Sequence, residues 1–284
     1  MRPQINATNG VVLSSSRASA VGDKRRKWAV CRDAIASPLA LLFALIAWQL
    51  AAVYVVRDEI FLPSPVQVAQ AWWHYMRVPY PAEGLTLWRH ALVSIMRVGM
   101  GFGLGVLAGI CIGALMTASL RIRSCINPLL QVIRPLPPIA FVPLLIVWLG
   151  IGETPKIVLI IFVVTPLMAV STAAGIDEVP PEFVEAARCL GASARYALLH
   201  VRVRAALPAV ITGMRLGMGI AWASIVAVEL VASMSGLGFL VLQAGTYLKT
   251  PLIFAGIITI GVLGFACDTI FRYLQRKLDP SKTG

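Results

Sequence analysis

Residues 177–208 read DEVPPEFVEAARCLGASARYALLHVRVRAALP, a long polar interruption between apolar blocks. Pro180 and Pro181 fix φ and need no N–H at a helix start, and Glu182 and Glu185 suit the positive N-terminal end. Gly191 supplies a left-handed stop, so one short helix is expected. Ser193 is placed to cap a second, running through Tyr196 and His200 toward Leu207-Pro208. Phe183, Ala186, Ala187 and Leu190 recur at helical spacing, and the paired alanines keep that face low enough for a partner's groove to close on it. The stretch reads as a docking knob on a membrane surface.

The rest of the chain supplies the membrane. Of 284 residues, 58% are hydrophobic and 13% charged, with mean hydropathy +0.80, against roughly 25% charged in soluble domains. The net charge of +12 and pI near 10.0 do not point to nucleic acid, because the basic residues sit between apolar runs rather than on one folded face. Cys31, Cys111, Cys125, Cys189 and Cys267 show neither CxxC spacing nor histidine partners, which argues against a disulfide framework or a zinc site.

An all-α, polytopic chain with about six spans is expected, at about 37–56, 91–117, 129–149, 157–175, 209–232 and 252–271, within a membrane domain covering 36–280. Residues 1–35, polar and ending in a basic run, read as a disordered cytoplasmic tail. Trp72, Trp73 and Tyr75 suit a membrane interface, where His74 and His90 are also expected to lie, exposed or interfacial rather than metal-bound.

Two features of the spans concern packing and passage. Gly101, Gly105, Gly109 and Gly113 form a bare stripe along one helix, which lets a second helix approach closely. No Gly-Lys-Ser/Thr occurs anywhere, so this chain carries no phosphate-cradling loop of that kind. After a short basic turn at 121–127, four prolines follow in quick succession: Pro135, Pro137, Pro138 and Pro143. They preclude a straight helix, and bent backbone at membrane depth survives only where protein or a water-filled cavity satisfies it. Pro137, Pro138 and Pro143 are therefore pathway candidates, together with Trp222 and Glu229 in the fifth span.

Glu185-Ala186-Ala187, Gly191-Ala192 and Leu207-Pro208 resemble the EAA loop of ABC importer permeases. The segment from Arg134 to Ile157, with Leu62-Pro63-Ser64-Pro65 and Gly236-Leu237-Gly238-Phe239, resembles the taurine, alkanesulfonate and nitrate branch, and most of all the taurine permeases. The resemblance implies a type I importer permease fold and transport of taurine or a related sulfonate. It makes 177–208 the coupling loop, with Glu185, Ala186, Ala187, Gly191 and Ala192 seated in an ATPase cleft. It further implies a bacterial inner-membrane location, a second permease copy in a homodimer, two cytoplasmic ATPases that hold the ATP and magnesium, and a periplasmic solute-binding protein. Val203-Arg204 departs from the Leu-Pro pair of many relatives. Transport of nitrate or another small solute by the same family is the alternative. A secondary carrier is disfavoured, since only Glu229 and Asp268 are acidic within spans, and an enzyme is disfavoured because no catalytic cluster exists.

Charge orients the chain independently of the motif. Of 25 lysines and arginines, 17 fall in odd-numbered segments outside the spans and five in even ones, with Arg97, Arg134 and Arg215 inside spans. Both termini and residues 177–208 are thus expected inside. A charge such as Arg97, at about 2.5–3.5 kcal/mol at full depth, must snorkel, pair with Glu229, or face the cavity and attract the solute's sulfonate. Asp268 and Arg272, one helical turn apart, are expected to pair locally.

Overall fold

The computed structural model describes residues 39, 40, 42–82, 84–193 and 196–278. The predicted tail, residues 37 and 38 of the first span and the end of the membrane domain lie outside them. The described residues are helical throughout, apart from turns and one isolated bridge between Tyr80 and Leu85.

Two units are distinguished, at residues 1–66 and 67–284. The first holds α1 (Leu42–Val56), the described part of the first expected span, whose last turn widens to π geometry over Ala51–Val56. Arg57 ends it in the left-handed region, φ 56°. Trp48 Nε1 then donates to the Pro63 carbonyl at 3.0 Å, tying the proline turn back to the helix. Phe43, Val55 and Phe61 remain exposed, as a lipid-facing helix requires.

The boundary falls in the first turn of α2 (Pro65–Tyr75), and the second unit runs on through α3 (Leu87–Ala118) and α4 (Leu120–Ile133). Then follow α5 (Val142–Leu149), α6 (Thr154–Asp177), α7 (Pro181–Cys189), α8 (Leu207–Ala232), α9 (Leu237–Thr246) and α10 (Thr250–Leu278). Four of these, α3, α6, α8 and α10, are long and apolar enough to cross a membrane. The expected third span is a broken one: α4 and the Pro138–Leu149 segment differ in direction by 97°. Residues 121–127, read as a turn, instead form part of α4, which tolerates Pro128 near its middle. Its position is set by contacts outside the helix itself: Leu130 shares a buried cluster with Met116 and Ala169, and Arg123 pairs with Asp177 at 2.8 Å.

The core is built around α6, whose Leu159, Ile160, Val164, Met168 and Ala169 are fully buried. The glycine stripe explains how it gets there. A Cβ at Gly101 would stand 2.6 Å from Ile160 Cβ, at Gly105 2.9 Å from Val164 Cβ, and at Gly113 2.6 Å from the Ala169 carbonyl. The α3 and α6 backbones therefore lie closer than any side chain permits. On the other side of α6, a Cβ at Gly213 of α8 would be 2.7 Å from Ser171 Cβ. Small residues on both neighbours make α6 the centre of a three-helix sandwich, with dispersion rather than water exclusion holding it.

Candidate functional site

One end of this sandwich carries a buried polar node. His90, Ser94 and Arg97 are spaced so that they share one face of α3, and each is at most 2% exposed. Glu229 of α8, fully buried, faces them; Glu153, just before α6, closes the cluster. Arg97 Nε donates to Glu153 Oε2 at 2.5 Å and Nη2 to Glu153 Oε1 at 2.7 Å, a bidentate fork. Its Nη1 reaches Glu229 Oε1 at 2.7 Å and the Ser235 carbonyl at 2.7 Å, while Nη2 also reaches Ser235 Oγ at 2.9 Å. Every guanidinium donor is thereby used.

The expected pairing of Arg97 with Glu229 is present. The alternative, in which Arg97 faces a cavity and attracts the solute, does not fit a guanidinium with no free donor. Lys156 Nζ, also buried, adds a bond to Glu153 Oε1 at 2.9 Å, so two cations balance two carboxylates. The Arg97 guanidinium beside Glu153 holds that carboxyl well below its usual range, at about 2, so it is ionised at any working pH.

The node also fastens the loop after α8. Three successive backbone amides dock on it: Gly236 on His90 Nδ1 at 3.0 Å, Leu237 on Ser94 Oγ at 2.9 Å and Gly238 on Glu229 Oε2 at 3.0 Å. Because His90 Nδ1 accepts, Nε2 carries the proton and donates to the Tyr80 carbonyl at 3.2 Å. His90 is therefore a buried neutral strut, not the exposed or interfacial group expected; its sequence neighbourhood is aromatic, but α3 starts four residues earlier than predicted and turns it inward. Gly236 adopts φ 109°, and a Cβ there would collide with the Glu229 carboxylate. Beside the node, Ile151, Glu153, Lys156, Ser233 and Met234 help line a cleft of about 450 Å³.

At the opposite end, Asp268 bridges two arginines, Arg272 at 3.1 Å as expected and Arg215 of α8 through Nε. The second bond ties α8 to α10 and accounts for one of the three arginines within spans. Gln275 Nε2 adds a bond to Thr212 Oγ1 at 3.0 Å nearby.

The short helix expected after Pro180 forms as α7, with Pro181 at its first position and Gly191 at φ 85°. Val184 alone is buried; Phe183 is 59% and Leu190 90% exposed, and Glu185 and Ala186 are exposed beside them. Gly191 has open space around its Cβ position and Ala192 is half-buried. Tyr196 N–H donates to Ser193 Oγ at 3.2 Å, the expected cap, and Tyr196 stacks on His200. Val203–Ala205 is helical and runs directly into α8 through Ala206, so the Val203-Arg204 departure leaves the exit of the loop helical.

The pathway candidates separate. Pro137 and Pro143 are exposed and Pro138 half-buried, along the proline-broken strip. Trp222 and Glu229 are enclosed: Trp222 lies in the main apolar cluster, its indole N–H without a hydrogen-bond partner among the described residues, and Glu229 in the node. Cys111, Cys125, Cys189 and Cys267 are all free, and Cys31 falls outside the described residues.

Comparison with known proteins agrees with this architecture. Residues 101–281 match the family described as binding-protein-dependent transport system inner membrane component. The chain is 37% identical over 256 residues to the taurine transport system permease protein TauC of Escherichia coli, covering 89% of this chain and 92% of that one. A putative aliphatic sulfonates transport permease, SsuC of Bacillus subtilis, is 35% identical over 81% of this chain and 82% of its own. The nitrate import permease NrtB of Synechocystis is 28% identical over 86% and 89%. Among solved structures, the inward-facing MetNI methionine ABC transporter superposes with TM-score 0.62 at 18% identity, covering 68% of this chain and 95% of that one. With a matching family segment, full-length relatives and the same bundle, the chain belongs to the binding-protein-dependent transport system inner membrane components, as a membrane permease subunit of an ABC importer whose ATPase is a separate polypeptide.

Proposed function

We propose that this chain is the permease of an ATP-driven importer for taurine or a closely related organic sulfonate, acting as a homodimer in a bacterial inner membrane. Two copies would supply a pathway between them and two docking helices, and closed twofold pairing is the simplest assembly for a single permease gene product. Both termini and residues 177–208 lie on the cytoplasmic side, with a periplasmic solute-binding protein delivering the solute opposite. ATP and magnesium belong to the two ATPase subunits.

The observation that carries the coupling role is the bare face of α7. Phe183 and Leu190 project from a helix held to the chain by Val184, with the small Ala186 between them. A water-exposed apolar knob of this kind fits a partner's groove. Glu185, Ala186, Ala187, Gly191 and Ala192 would sit in the ATPase cleft, so closure of the ATPase dimer pulls the two α7 helices together and alternates access across the membrane.

Taurine is favoured over nitrate by the higher identity to the taurine relative, 37% against 28%. Two experiments test the reading. A cytoplasm-dependent reporter fused after Ser281 or within residues 177–182 should be active and one fused near Gly84 inactive; the reverse pattern inverts the topology. A deletion strain should lose growth on taurine as sole sulfur source and regain it with this chain; unimpaired growth rejects the solute.

A further inference from the structure

Three arginines lie inside the apolar segments, and the structure satisfies two of them. Arg97 is closed in the polar node and Arg215 is held by Asp268. Arg134 is different. It is exposed, it closes the C-terminal end of α4 where the broken span bends, and among the described residues no acidic side chain pairs with it.

Its depth follows from its neighbours. Leu130, one turn before it, shares a buried cluster with Ala169 of α6. Phe141, after the break, packs its ring 4.7 Å from that of Phe162 of α6. At 1.5 Å per residue, Ala169 and Phe162 lie about 12 and 22 Å from the Asp177 end of a helix about 36 Å long. Arg134 is bracketed between those levels, near the middle of a hydrocarbon layer about 30 Å thick. An arginine there is too deep to snorkel to either interface.

Two local stabilisers are present and neither suffices. The negative end of the α4 dipole favours a cation at this position, but that attraction is several-fold smaller than the cost of burying arginine in lipid. The Ile133 carbonyl opposite Pro137 is taken by the Leu136 amide at 3.1 Å, and the carbonyls opposite Pro135 and Pro138 carry no full charge and are themselves tolerated at this depth only beside protein or water. Arg134, Pro135 and Pro137 are all exposed at the bend, and a charge beside proline-broken backbone at this depth is accounted for if that side borders water.

We propose that Arg134 is the residue by which the translocation pathway recognises the anionic head of its solute. The guanidinium presents paired donors matching two oxygens of an oxyanion such as a sulfonate. Sitting at the bend, it is carried by the broken span, so any change of angle between α4 and α5 moves the recognition group along the pathway. This rests on the sulfonate reading above for the identity of the anion, though not for the presence of an anion site.

The test uses the complete importer, with its ATPase and solute-binding protein, in proteoliposomes. Arg134→Gln should lower labelled taurine uptake at least tenfold while solute-binding-protein-stimulated ATP hydrolysis persists, and Arg134→Lys should regain an intermediate rate. A purely structural arginine would lose ATP hydrolysis and uptake together, and wild-type uptake by Arg134→Gln overturns the proposal. A second arm needs no transported solute. Arg134→Cys, in a chain whose five native cysteines are replaced by alanine, should react with a charged, membrane-impermeant methanethiosulfonate. Failure of that cysteine to react places the side chain in lipid or against protein and overturns the proposal, whatever the solute. Should the wild-type importer refuse taurine yet carry nitrate, with Arg134→Gln again losing uptake, the sulfonate reading falls and the anion site stands.

Discussion

Arg97 Nη1 and Glu229 Oε1 stand 2.7 Å apart with the two side chains 2% and 0% exposed, which makes them one charge-balanced unit rather than two functional groups. Removing either partner leaves the other buried and uncompensated, at about 3–5 kcal/mol. Arg97→Ala and Glu229→Ala should each yield little folded protein, read as monodisperse material after detergent extraction. Exchanging the charges should not restore it, because Arg97 also serves Glu153 and the Ser235 carbonyl, and an introduced glutamate would face Glu153. Arg97→Met with Glu229→Gln, which removes both buried charges, should recover more than either single variant.

The α3 stripe separates two kinds of glycine. Gly113→Val must displace the Ala169 carbonyl, whereas Gly103 has nothing within 4 Å of its Cβ position. Overpacking of this kind costs about 1–3 kcal/mol, and here it falls on backbone that has no rotamer to change. Thermal unfolding in detergent should show Gly113→Val markedly destabilised and Gly103→Val near wild type.

The docking role proposed for the exposed face of α7 predicts the opposite pattern, loss of function without loss of fold. Ala186→Trp places bulk on an exposed face and should leave insertion and thermal stability within about 0.5 kcal/mol of wild type. ATPase co-purification and uptake should both be abolished. Glu185→Lys should act likewise. Gly191→Asn, which tolerates the left-handed region, should be milder than Gly191→Val.

The loop after α8 should be the most fragile element at its end of the bundle. Gly236→Ala meets both φ 109° and the Glu229 carboxylate, so backbone strain of about 1–3 kcal/mol adds to a displaced loop. Amide exchange at Leu237 and Gly238 should accelerate in this variant, with exchange in the middle of α6 unchanged.

Hydrophobicity, proline and glycine placement and lysine-arginine asymmetry act locally and at short range, so they are readable from residues in order. They determined the all-helical membrane class, the packing role of the glycine stripe, the proline break after α4 and the exposed helix at 181–189. Side-chain partners set by the crossing of distant helices are another matter. Glu153 is 56 residues from Arg97, Asp268 is 53 from Arg215, and the amides of Gly236 to Gly238 are more than 100 residues from His90 and Ser94. Nothing in the spacing of those residues distinguishes an arginine that will be enclosed from one that will stay open. Arg97 had an evident carboxylate candidate in Glu229, yet its second carboxylate and its serine partners arrive only with the loops. Arg134, lacking any such signal, is singled out solely because no acidic side chain among the described residues pairs with it. A buried charge is decided by which groups converge on it in space, and that convergence is a property of the tertiary structure.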